Sequence, residues 1–391
     1  MKPTKVLVEL EDLALHEGAT VLLRRALKQV QAGDSVEIRG DSEALQDQLS
    51  AWCRDAGHSF ATKQGNKGVY SIQSGGYSVV SSASLSEIAE VADPAWGLAP
   101  RGAQIEKGGP AFGFTLRQKR DVWAYELDAI YHQSVANQWS VARDLPWKNL
   151  PQLPEEVESA VAQIMTFLTE NEFAALYVPA RFIPRIHPHY REVVGVLAMQ
   201  VADEARHAEG FTRRAEAGGA GLGTTAVSGQ LSLKTLLEEP DFTTATFLLC
   251  VMGEGTFLTL LNFLSERAPD PVTAALMRLA HRDEARHVAF GMEHMRYVFA
   301  REPQARISLT TAVERRSRML ASISGLSPQV HDALVVYTGG GISIAQIREG
   351  ARQVAWLHRE MNRTRQDRLQ SLGFEPSHAA AMSAYHTKNF M

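Results

Sequence analysis

The pattern of apolar and polar residues divides the chain into two parts. Over about the first 75 residues, short Val- and Ile-rich runs such as KVLVEL and DSVEIRG alternate with amphipathic segments such as GATVLLRRALKQV. Short β-branched runs between turns indicate strands, and apolar residues three or four apart indicate helices. From about Phe114 onward the period is helical almost throughout. We therefore predict a small α/β domain followed by an all-α domain.

The boundaries of these parts follow from composition. Residues 1–75 predict a βαβαββ unit, a two-layer sandwich in which two helices cover one sheet. Residues 76–113 are rich in Ser, Gly, Ala and Pro, which is typical of a linker. Residues 114–391 form the predicted helical domain. The expected fold class is therefore α+β, with a helical bundle and extra helices as the larger part.

Charge and cysteine content limit the partners. The chain has 391 residues and a formal net charge of -4, with no long run of Lys or Arg, so we expect no nucleic-acid partner. Its two cysteines, Cys53 and Cys250, lie far apart and outside any CxxC pattern, which indicates neither a disulfide framework nor a thiolate zinc site. The N-terminal residues contain no apolar signal-peptide core. We expect a cytoplasmic protein.

One apolar segment is long enough to cross a bilayer. Residues 242–264 are apolar except near the middle, where Gly253, Glu254 and Gly255 interrupt them. A buried helix of a soluble bundle explains this segment as well as a membrane span does. The choice depends on whether Glu254 has a function. Because Glu254 is a candidate metal ligand, as argued below, we expect a buried helix and no membrane association.

The pentapeptide DEARH occurs twice, in VADEARHAEG and in HRDEARHVAF. Each copy contains a Glu and a His three residues apart, which share one face of a helix. A single pair is typical of a solvated helix face, but both pairs continue the apolar stripe of their segments. Buried acids are costly unless they are paired or bind metal. The repetition therefore favours a metal site that includes Glu204, His207, Glu284 and His287.

Further carboxylates for such a site should come from neighbouring helices. About 30 residues separate a position from the facing position on the preceding antiparallel helix, and Glu254 lies at that distance before Glu284. Before Glu204 there are two candidates, Glu170 and Glu172. Glu172 continues the apolar stripe of its segment, whereas Glu170 points nearly opposite, so we select Glu172.

The predicted site then has six ligands from four helices. One acid from each of two helices and an ExxH pair from each of two others is the ligand set of ferritin-like di-iron and di-manganese carboxylate bundles. Four carboxylates neutralise two divalent cations, and oxygen and imidazole ligands without thiolate suit iron or manganese. The stretch from Ala208 to about Pro240 has the length of a crossover connection. The six are Glu172, Glu204, His207, Glu254, Glu284 and His287.

Within this superfamily, the form DExRH resembles the soluble bacterial multicomponent monooxygenases, acyl desaturases and related oxygenases. FLTENEFAAL resembles the first-ligand helix of methane and toluene monooxygenase hydroxylases, which again favours Glu172. The resemblance implies an oxidoreductase with two iron ions, a Mn/Fe pair being the alternative, that uses O₂ to hydroxylate, N-oxygenate or desaturate a small organic substrate. It also implies an external reductase or ferredoxin, since no nucleotide fingerprint is visible. We further expect a homodimer.

The same resemblance implies roles for residues beside the ligands. Asp203 and Asp283 would accept hydrogen bonds from the ligand imidazoles, and Arg206 and Arg286 would pair with them. The alternative is a set of surface Asp–Arg pairs. We predict no catalytic residue beyond the metal centre itself.

Several further residues have two interpretations each. His281, one turn before Glu284, is either an extra ligand or a neutral histidine at the core edge, and the second is favoured. Tyr177 follows Glu172 closely enough to approach the metals, but a radical role is not supported. The segment QWSVARDLPW either caps the site or packs in the core, and core packing is favoured. His187 and His189, in the Pro-rich turn IPRIHPHY, are predicted to lie on the surface of a loop.

The N-terminal part resembles the TusA/SirA family of small sulfur-carrier proteins. The resemblance rests on AGDSVEIRGDSEALQDQLSAWCRDAGHSF, which ends in a Trp-Cys-Arg-x-x-Gly-His pattern. The reactive cysteine of that family should fall near His16, where this chain has none, so persulfide transfer is not expected. Cys53 lies within a helical pattern and is predicted to be a buried small hydrophobe.

Two other functions fit the same residues. One is a ferritin- or rubrerythrin-like protein that handles metal or scavenges peroxide, although the added domain and the long C-terminal helices count against a storage shell. The other is a non-catalytic adaptor in which the metal site is structural and the TusA-like unit binds a partner. Absence of O₂-dependent substrate turnover would favour either of these over an oxygenase.

Overall fold

The computed structural model describes residues 6–63, 67–75, 79–80, 87–103, 105–106, 110–321 and 326–386. The chain forms two compact units. One unit comprises Met1–Glu87 with Ala99–Pro110, and the other comprises Ile88–Leu98 with Ala111–Met391. In the described ranges most residues are helical and one four-stranded sheet accompanies the helices, so the predicted α+β class is confirmed.

The first unit contains the predicted order of strands and helices. Its elements are β1 (Val6–Glu9), α1 (Ala19–Leu27), β2 (Ser35–Arg39), α2 (Leu45–Asp55), β3 (Ser59–Thr62), β4 (Val69–Gln73), β5 (Val79–Val80) and β6 (Ile105–Glu106). The sheet has the strand order β1-β2-β4-β3; β1 and β2 are parallel, and the other two pairs are antiparallel. A separate antiparallel pair, β5 and β6, also belongs to this unit.

The core of the first unit lies between the sheet and its two helices. Alternate residues of β2, Val36 and Ile38, are fully buried and share one face of the sheet. Leu23 of α1 and Leu49 of α2 pack in the same cluster. Cys53 is buried there as well, and burial raises the pKa of its thiol to about 11, so its predicted structural role is confirmed. The TusA likeness of this unit stays a prediction.

The second unit is helical. Its helices are α3 (Lys119–Val122), α4 (Leu127–Ala136), α5 (Glu155–Phe182), α6 (Arg191–Ala217), α7 (Val227–Leu237), α8 (Phe242–Glu266), α9 (Pro271–Arg301), α10 (Ala305–Met319), α11 (Pro328–Gly339), α12 (Ile344–Ser371) and α13 (Pro376–Tyr385). Four long helices pack in two pairs of sequence neighbours: α5 packs along α6, and α8 packs along α9. Contacts between α6 and α9 join the two pairs. The connection from α6 to α8 contains the short α7, which packs on α5.

Local sequence fixes where the long helices begin. Asp270 caps α9 by accepting a hydrogen bond from the Thr273 backbone nitrogen at 2.8 Å, and Pro271 occupies the first helical position. Asp241 caps α8 in the same way, through the backbone nitrogen of Thr244. These caps set the helical phase that carries the functional residues inward.

Helix α8 contains the membrane-like segment. It is long and apolar enough to span a bilayer, yet 83% of its most apolar window is buried inside the protein. Residues Phe247–Glu254 form a π-helical turn, and all of them are buried. Such turns insert an extra residue into an α-helix and are frequent at functional sites. Here the π segment ends on Glu254, the acid that interrupts the apolar run.

Part of the predicted linker packs on the helical unit. Ala92 is fully buried in the helical core, and its backbone nitrogen donates to the Arg117 carbonyl at 2.8 Å. Asp93 caps a 3₁₀ turn, Pro94–Trp96, in the same segment. Residues 76–113 therefore divide between the two units where they are described.

Candidate metal centre

Four helices bring the six predicted ligands together at the centre of the bundle. Helix α5 supplies Glu172, α8 supplies Glu254, and α6 and α9 each supply one ExxH pair. All six side chains are 3% exposed or less. Six ionisable groups at this depth need an electrostatic explanation, because lone buried charges are costly.

The ligand atoms form two overlapping groups, and within each group they all lie within 4.8 Å of one another. Glu204 and Glu284 belong to both groups. Glu172 and His207 complete the first group, and Glu254 and His287 complete the second. We refer to these as the first and second positions.

Both imidazoles turn the same nitrogen toward the carboxylates. His207 Nδ1 lies 3.4 Å from Glu172 Oε2 and 3.2 Å from Glu204 Oε2. His287 Nδ1 lies 3.2 Å from Glu284 Oε2 and 3.0 Å from Glu204 Oε1. The Nε2 atoms therefore face away from the ligand cluster.

The two aspartates of the DEARH copies meet these Nε2 atoms in a crossed arrangement. His207 Nε2 lies 3.2 Å from Oδ2 of Asp283, and His287 Nε2 lies 3.3 Å from Oδ2 of Asp203. Each aspartate thus contacts the imidazole of the other copy. A carboxylate at Nε2 holds the proton there and leaves the Nδ1 lone pair free for a metal ion.

The two arginines connect these aspartates. Arg286 donates to Asp283 Oδ1 at 2.6 Å and to Asp203 Oδ2 at 3.1 Å. Arg206 also contacts both aspartates, including Asp283 Oδ2 at 2.9 Å. Both aspartates are fully buried, so these are not surface Asp–Arg pairs.

Residues of the segment before the bundle complete the network. Trp139 donates from Nε1 to Asp283 Oδ2 at 2.6 Å, and its ring stacks beside His207 with centroids 6.3 Å apart. Gln138 donates to Asp203 Oδ1 at 3.2 Å. The segment QWSVARDLPW therefore covers the His–Asp layer. Its aromatic and polar composition was the only sequence signal for this role.

Burial and mutual repulsion shift the ionisation of the carboxylates. Burial raises the pKa of Glu172 well above its ordinary value, and Glu204 raises it further. Burial and then Glu284 act in the same direction on the pKa of Glu254. Burial also opposes ionisation of Glu204, but the His287 charge and hydrogen bonds from its neighbours lower the pKa of Glu204 overall.

The histidines respond to the same acids. Burial favours neutral imidazoles, but Asp283 and the glutamates raise the pKa of His207 well above its ordinary value. Glu204 and Glu284 do the same for the pKa of His287. With only its own side chains, the cluster thus holds protons that a divalent cation would displace.

The donor set fits two divalent cations. Four carboxylates and two neutral imidazoles give a charge of -4, which two such cations neutralise, and no thiolate takes part. Glu254 Oε2 accepts no hydrogen bond from the described residues. Glu204 Oε1 lies near His287 Nδ1 but without hydrogen-bond geometry. Buried carboxylate oxygens without a donor are the atoms expected to face a metal ion.

The additional candidates lie outside both groups. Glu170 is half-buried on another face of α5, where burial raises its pKa and Gln230 hydrogen-bonds to it. Tyr177 is 59% exposed. His281 is partly buried and interacts electrostatically with Glu284, and burial lowers its pKa, as expected for a neutral histidine at the core edge.

The prediction that His187 and His189 lie on a loop surface is wrong. Both side chains are buried. His187 Nδ1 accepts from the His189 backbone nitrogen at 3.1 Å, and His189 Nε2 accepts from the Ala89 backbone nitrogen at 2.9 Å. Their turn lies beneath Trp96 of the 88–98 segment, a contact that local sequence does not reveal.

A cavity of about 610 Å³ opens at one end of the helical unit, but it is lined by residues such as Asp121, Asp241 and Arg301 rather than by predicted ligands. A substrate cavity beside the six residues stays a prediction.

Comparisons with known proteins show similarity of structure only. No protein-family model matches the chain, and no curated protein matches it. Similar solved structures include "Protein 19 with aldehyde deformylating oxidase activity" from Synechococcus, at 13% identity and a TM-score of 0.44, covering 60% of this chain and 98% of that one. An R2-like ligand-binding oxidase from Sulfolobus acidocaldarius has 16% identity and a TM-score of 0.41, covering 65% of this chain and 93% of its own.

A third match is a variant R2-like ligand-binding oxidase with an anaerobically reconstituted Mn/Fe cofactor. It has 17% identity and a TM-score of 0.45, and it covers 62% of this chain and 93% of its own. All three TM-scores are below 0.5, so these matches do not assign a family or a function. The geometry of the site has to carry any functional conclusion.

Proposed function

We propose that the protein is an oxidoreductase in which the six ligands hold two iron ions, or a Mn/Fe pair, and which uses O₂ to oxidise a small organic substrate. The observation that carries this proposal is the pair of overlapping ligand groups that share Glu204 and Glu284. A site built for one ion needs no second group. The chemistry that such a metal pair supplies when bound is the binding and reduction of dioxygen.

The ligands have distinct roles in this proposal. Glu204 and Glu284 belong to both groups and would contribute ligand oxygens to both positions. Glu172 and His207 would bind at the first position only, and Glu254 and His287 at the second only. Each position then receives both carboxylate and imidazole, the ligand types that suit iron and manganese.

The His–Asp layer orients the imidazoles. Asp283 and Asp203 hold the Nε2 protons of His207 and His287 through the crossed contacts, which fixes the tautomer and the ring plane. Arg206 and Arg286 balance the two aspartates. The layer is therefore neutral as a whole, and the charge of the six ligands is left to compensate the cations.

The apolar surroundings exclude water. The side chains of Leu168, Phe211, Val251 and Phe257 lie within a few residues of the ligands and are 2% exposed or less. Exclusion of water strengthens electrostatic interactions and protects reactive species from side reactions. Hydroxylation, N-oxygenation and desaturation are the reactions to test, with electrons supplied by a separate reductase or ferredoxin.

The test is anaerobic loading with ⁵⁷Fe(II), followed by a pulse of O₂ under Mössbauer and optical spectroscopy. Wild type should bind two irons per chain and oxidise them rapidly. Glu172→Ala should lose iron from the first position, because it removes a carboxylate that only this position uses. Glu170→Ala is the matched control, since Glu170 lies two residues away and outside both groups.

The outcomes separate the proposal from its alternatives. Rapid oxidation of the paired irons that Glu172→Ala abolishes and Glu170→Ala preserves would support the proposal, and substrate-dependent O₂ consumption would then identify the reaction. Binding of a single zinc, with both variants behaving like wild type, would contradict it. Iron oxidation that produces only a stored ferric mineral would instead indicate metal handling.

A further inference from the structure

A buried glutamine, Gln200, hydrogen-bonds to Glu254, one of the two glutamates that belong to a single ligand group. Gln200 lies one helical turn before Glu204 on α6, and its Nε2 donates to Glu254 Oε1 at 2.9 Å. The same nitrogen lies 3.8 Å from Cys250 Sγ, one turn before Glu254. Gln200 is 2% exposed and Glu254 1% exposed. The amide thus links the first DEARH helix to the π segment of α8.

This hydrogen bond distinguishes the two oxygens of Glu254. Oε1 accepts from Gln200, whereas Oε2 is buried and accepts nothing from the described residues. A carboxylate held by one oxygen has lost much of its rotational freedom before any ligand arrives. Oε2 is therefore the oxygen presented to a cation at the second position.

The other half of the site lacks an equivalent residue. When the two DEARH copies are superposed in sequence, Glu204 corresponds to Glu284 and Gln200 corresponds to Ala280. Ala280 has no polar side chain to hold Glu172. Oε2 of Glu172 instead lies 3.4 Å from His207 Nδ1, and Glu172 shares a hydrogen bond with Glu204. The hydrogen-bond partners that the described residues give Glu172, His207 and Glu204, are themselves predicted ligands.

We infer that Gln200 is a positioning residue that orients Glu254 to bind a cation through one carboxylate oxygen. This positioning makes the second position the tighter of the two cation sites. This inference rests on the proposed function, since it requires two cation positions. Groups that orient metal ligands typically change metal affinity 10–100-fold when removed. A preorganised ligand gains affinity because less conformational entropy is lost on binding.

The experiment is a stepwise anaerobic titration of the full chain with ⁵⁷Fe(II), followed by Mössbauer spectroscopy and calorimetry. In wild type, the first equivalent of iron should give a single quadrupole doublet, because it fills the second position. In Gln200→Leu, the second position should weaken about 10–100-fold, and the first equivalent should divide between two doublets. Gln200→Asn, which retains an amide on a shorter stem, should restore part of the preference.

Thr169→Val is the control for loss of a buried polar group near the site. Thr169 lies on the helix of Glu172, and its hydroxyl donates to the Met165 carbonyl at 2.8 Å. This variant should keep the wild-type order of filling. If Gln200→Leu does not fold, Gln200→Asn alone carries the test.

The possible results distinguish the two claims. Two irons per wild-type chain, with an unchanged order of filling in both Gln200 variants, would overturn the positioning role and leave the proposed function standing. Fewer than two irons per wild-type chain would overturn both. A lost preference in Gln200→Leu, with partial recovery in Gln200→Asn and none lost in Thr169→Val, is the expected result.

Discussion

Two buried polar clusters lie along the same helices of the bundle, and the charge of their buried carboxylates is compensated differently. One contains Arg214, Glu158 and Asp270, and the other contains the six predicted ligands. Glu158 precedes Glu172 by 14 residues and Asp270 precedes Glu284 by 14 residues, so about 21 Å of helix separates the clusters.

In the Arg214 cluster a cation of the chain compensates the acids. Arg214 is fully buried and donates to Glu158 Oε1 at 2.5 Å and to Asp270 Oδ2 at 2.8 Å. Burial opposes its charge, but the two carboxylates raise the pKa of Arg214 overall. Within the described residues, the six-residue cluster has four carboxylates and no ion pair with an arginine, and two of its oxygens, Glu204 Oε1 and Glu254 Oε2, accept no hydrogen bond. The comparison shows that burial of acids alone does not indicate a metal site, whereas an uncompensated surplus of them does.

The largest effect is expected when the first cluster loses its cation. Arg214→Met keeps most of the side-chain volume but leaves two buried carboxylates without their counter-charge. We expect the free energy of unfolding to fall by about 3–5 kcal/mol in urea denaturation. Arg213→Met, which changes an exposed neighbour, should cost far less. A loss below about 1 kcal/mol for Arg214→Met would show that the surrounding structure does not need the charge.

His294 is a buried histidine whose hydrogen-bond partners are neutral, in contrast to the histidines of the six-residue cluster. His294 is fully buried between the Trp123 carbonyl and the Thr243 hydroxyl, and burial lowers its pKa to about 4. Between pH 6.5 and pH 4 the unfolded state binds a proton that the folded state does not. Stability from this residue is therefore complete above pH 6.5 and falls as the pH decreases toward 4, by about 3 kcal/mol.

The check on His294 is urea unfolding of wild type and His294→Asn across that pH range. Asparagine retains a donor near the Trp123 carbonyl but does not titrate. The difference in unfolding free energy between the two proteins should shrink as the pH falls. A constant difference from pH 7 to pH 4 would mean that His294 does not contribute to acid destabilisation.

An added cation should stabilise the folded protein by binding at the six-residue cluster and not at the Arg214 cluster. In the absence of oxygen, a cation at a free concentration of about 100 times its Kd stabilises the folded protein that binds it by about 2.7 kcal/mol. We expect chelation to remove this stabilisation from wild type and to remove less from Glu254→Gln, which keeps only the ligands of the first position intact. With chelator present, Glu254→Gln should be at least as stable as wild type, because it removes an acid whose burial opposes ionisation. Equal stabilisation of both proteins by the cation would place the binding elsewhere.

The smallest effect tests the His–Asp layer. Trp139→Phe and Trp147→Phe each remove one indole hydrogen bond, the first to Asp283 and the second to the Val141 carbonyl. Both should cost about 1–2 kcal/mol of stability. Only Trp139→Phe should also weaken cation binding, by about 10-fold, because Asp283 orients His207. A similar loss of cation affinity in both variants would argue against this role.

The arrangement of the six residues was predictable because the periodicity of each helix determines which of its side chains share a face. A spacing of three places Glu204 beside His207 on one helix face, and a return of about 30 residues places Glu254 opposite Glu284. Apolar stripes then distinguish inward from outward positions, as they did for Glu172 and Glu170. The structure brings the same six side chains together.

Other features depend on contacts between segments that lie far apart in the sequence. Trp139 reaches Asp283 across 144 residues from an irregular loop, and Gln200 reaches Glu254 across 54 residues. His187 and His189 were misjudged because the 88–98 segment that covers them has the composition of a linker. The crossed pairing of the aspartates also depends on how α6 and α9 face each other, which the sequence of either helix alone does not determine.

The most direct test of the account is the metal content of the protein after anaerobic loading with Fe(II) and removal of loosely bound metal, measured beside Glu204→Ala. Glu204 belongs to both ligand groups, so its loss should affect both positions. Wild type should bind two irons per chain, and the variant should lose binding at both positions. A single metal ion per wild-type chain, or unchanged metal content in Glu204→Ala, would contradict the proposed metal centre.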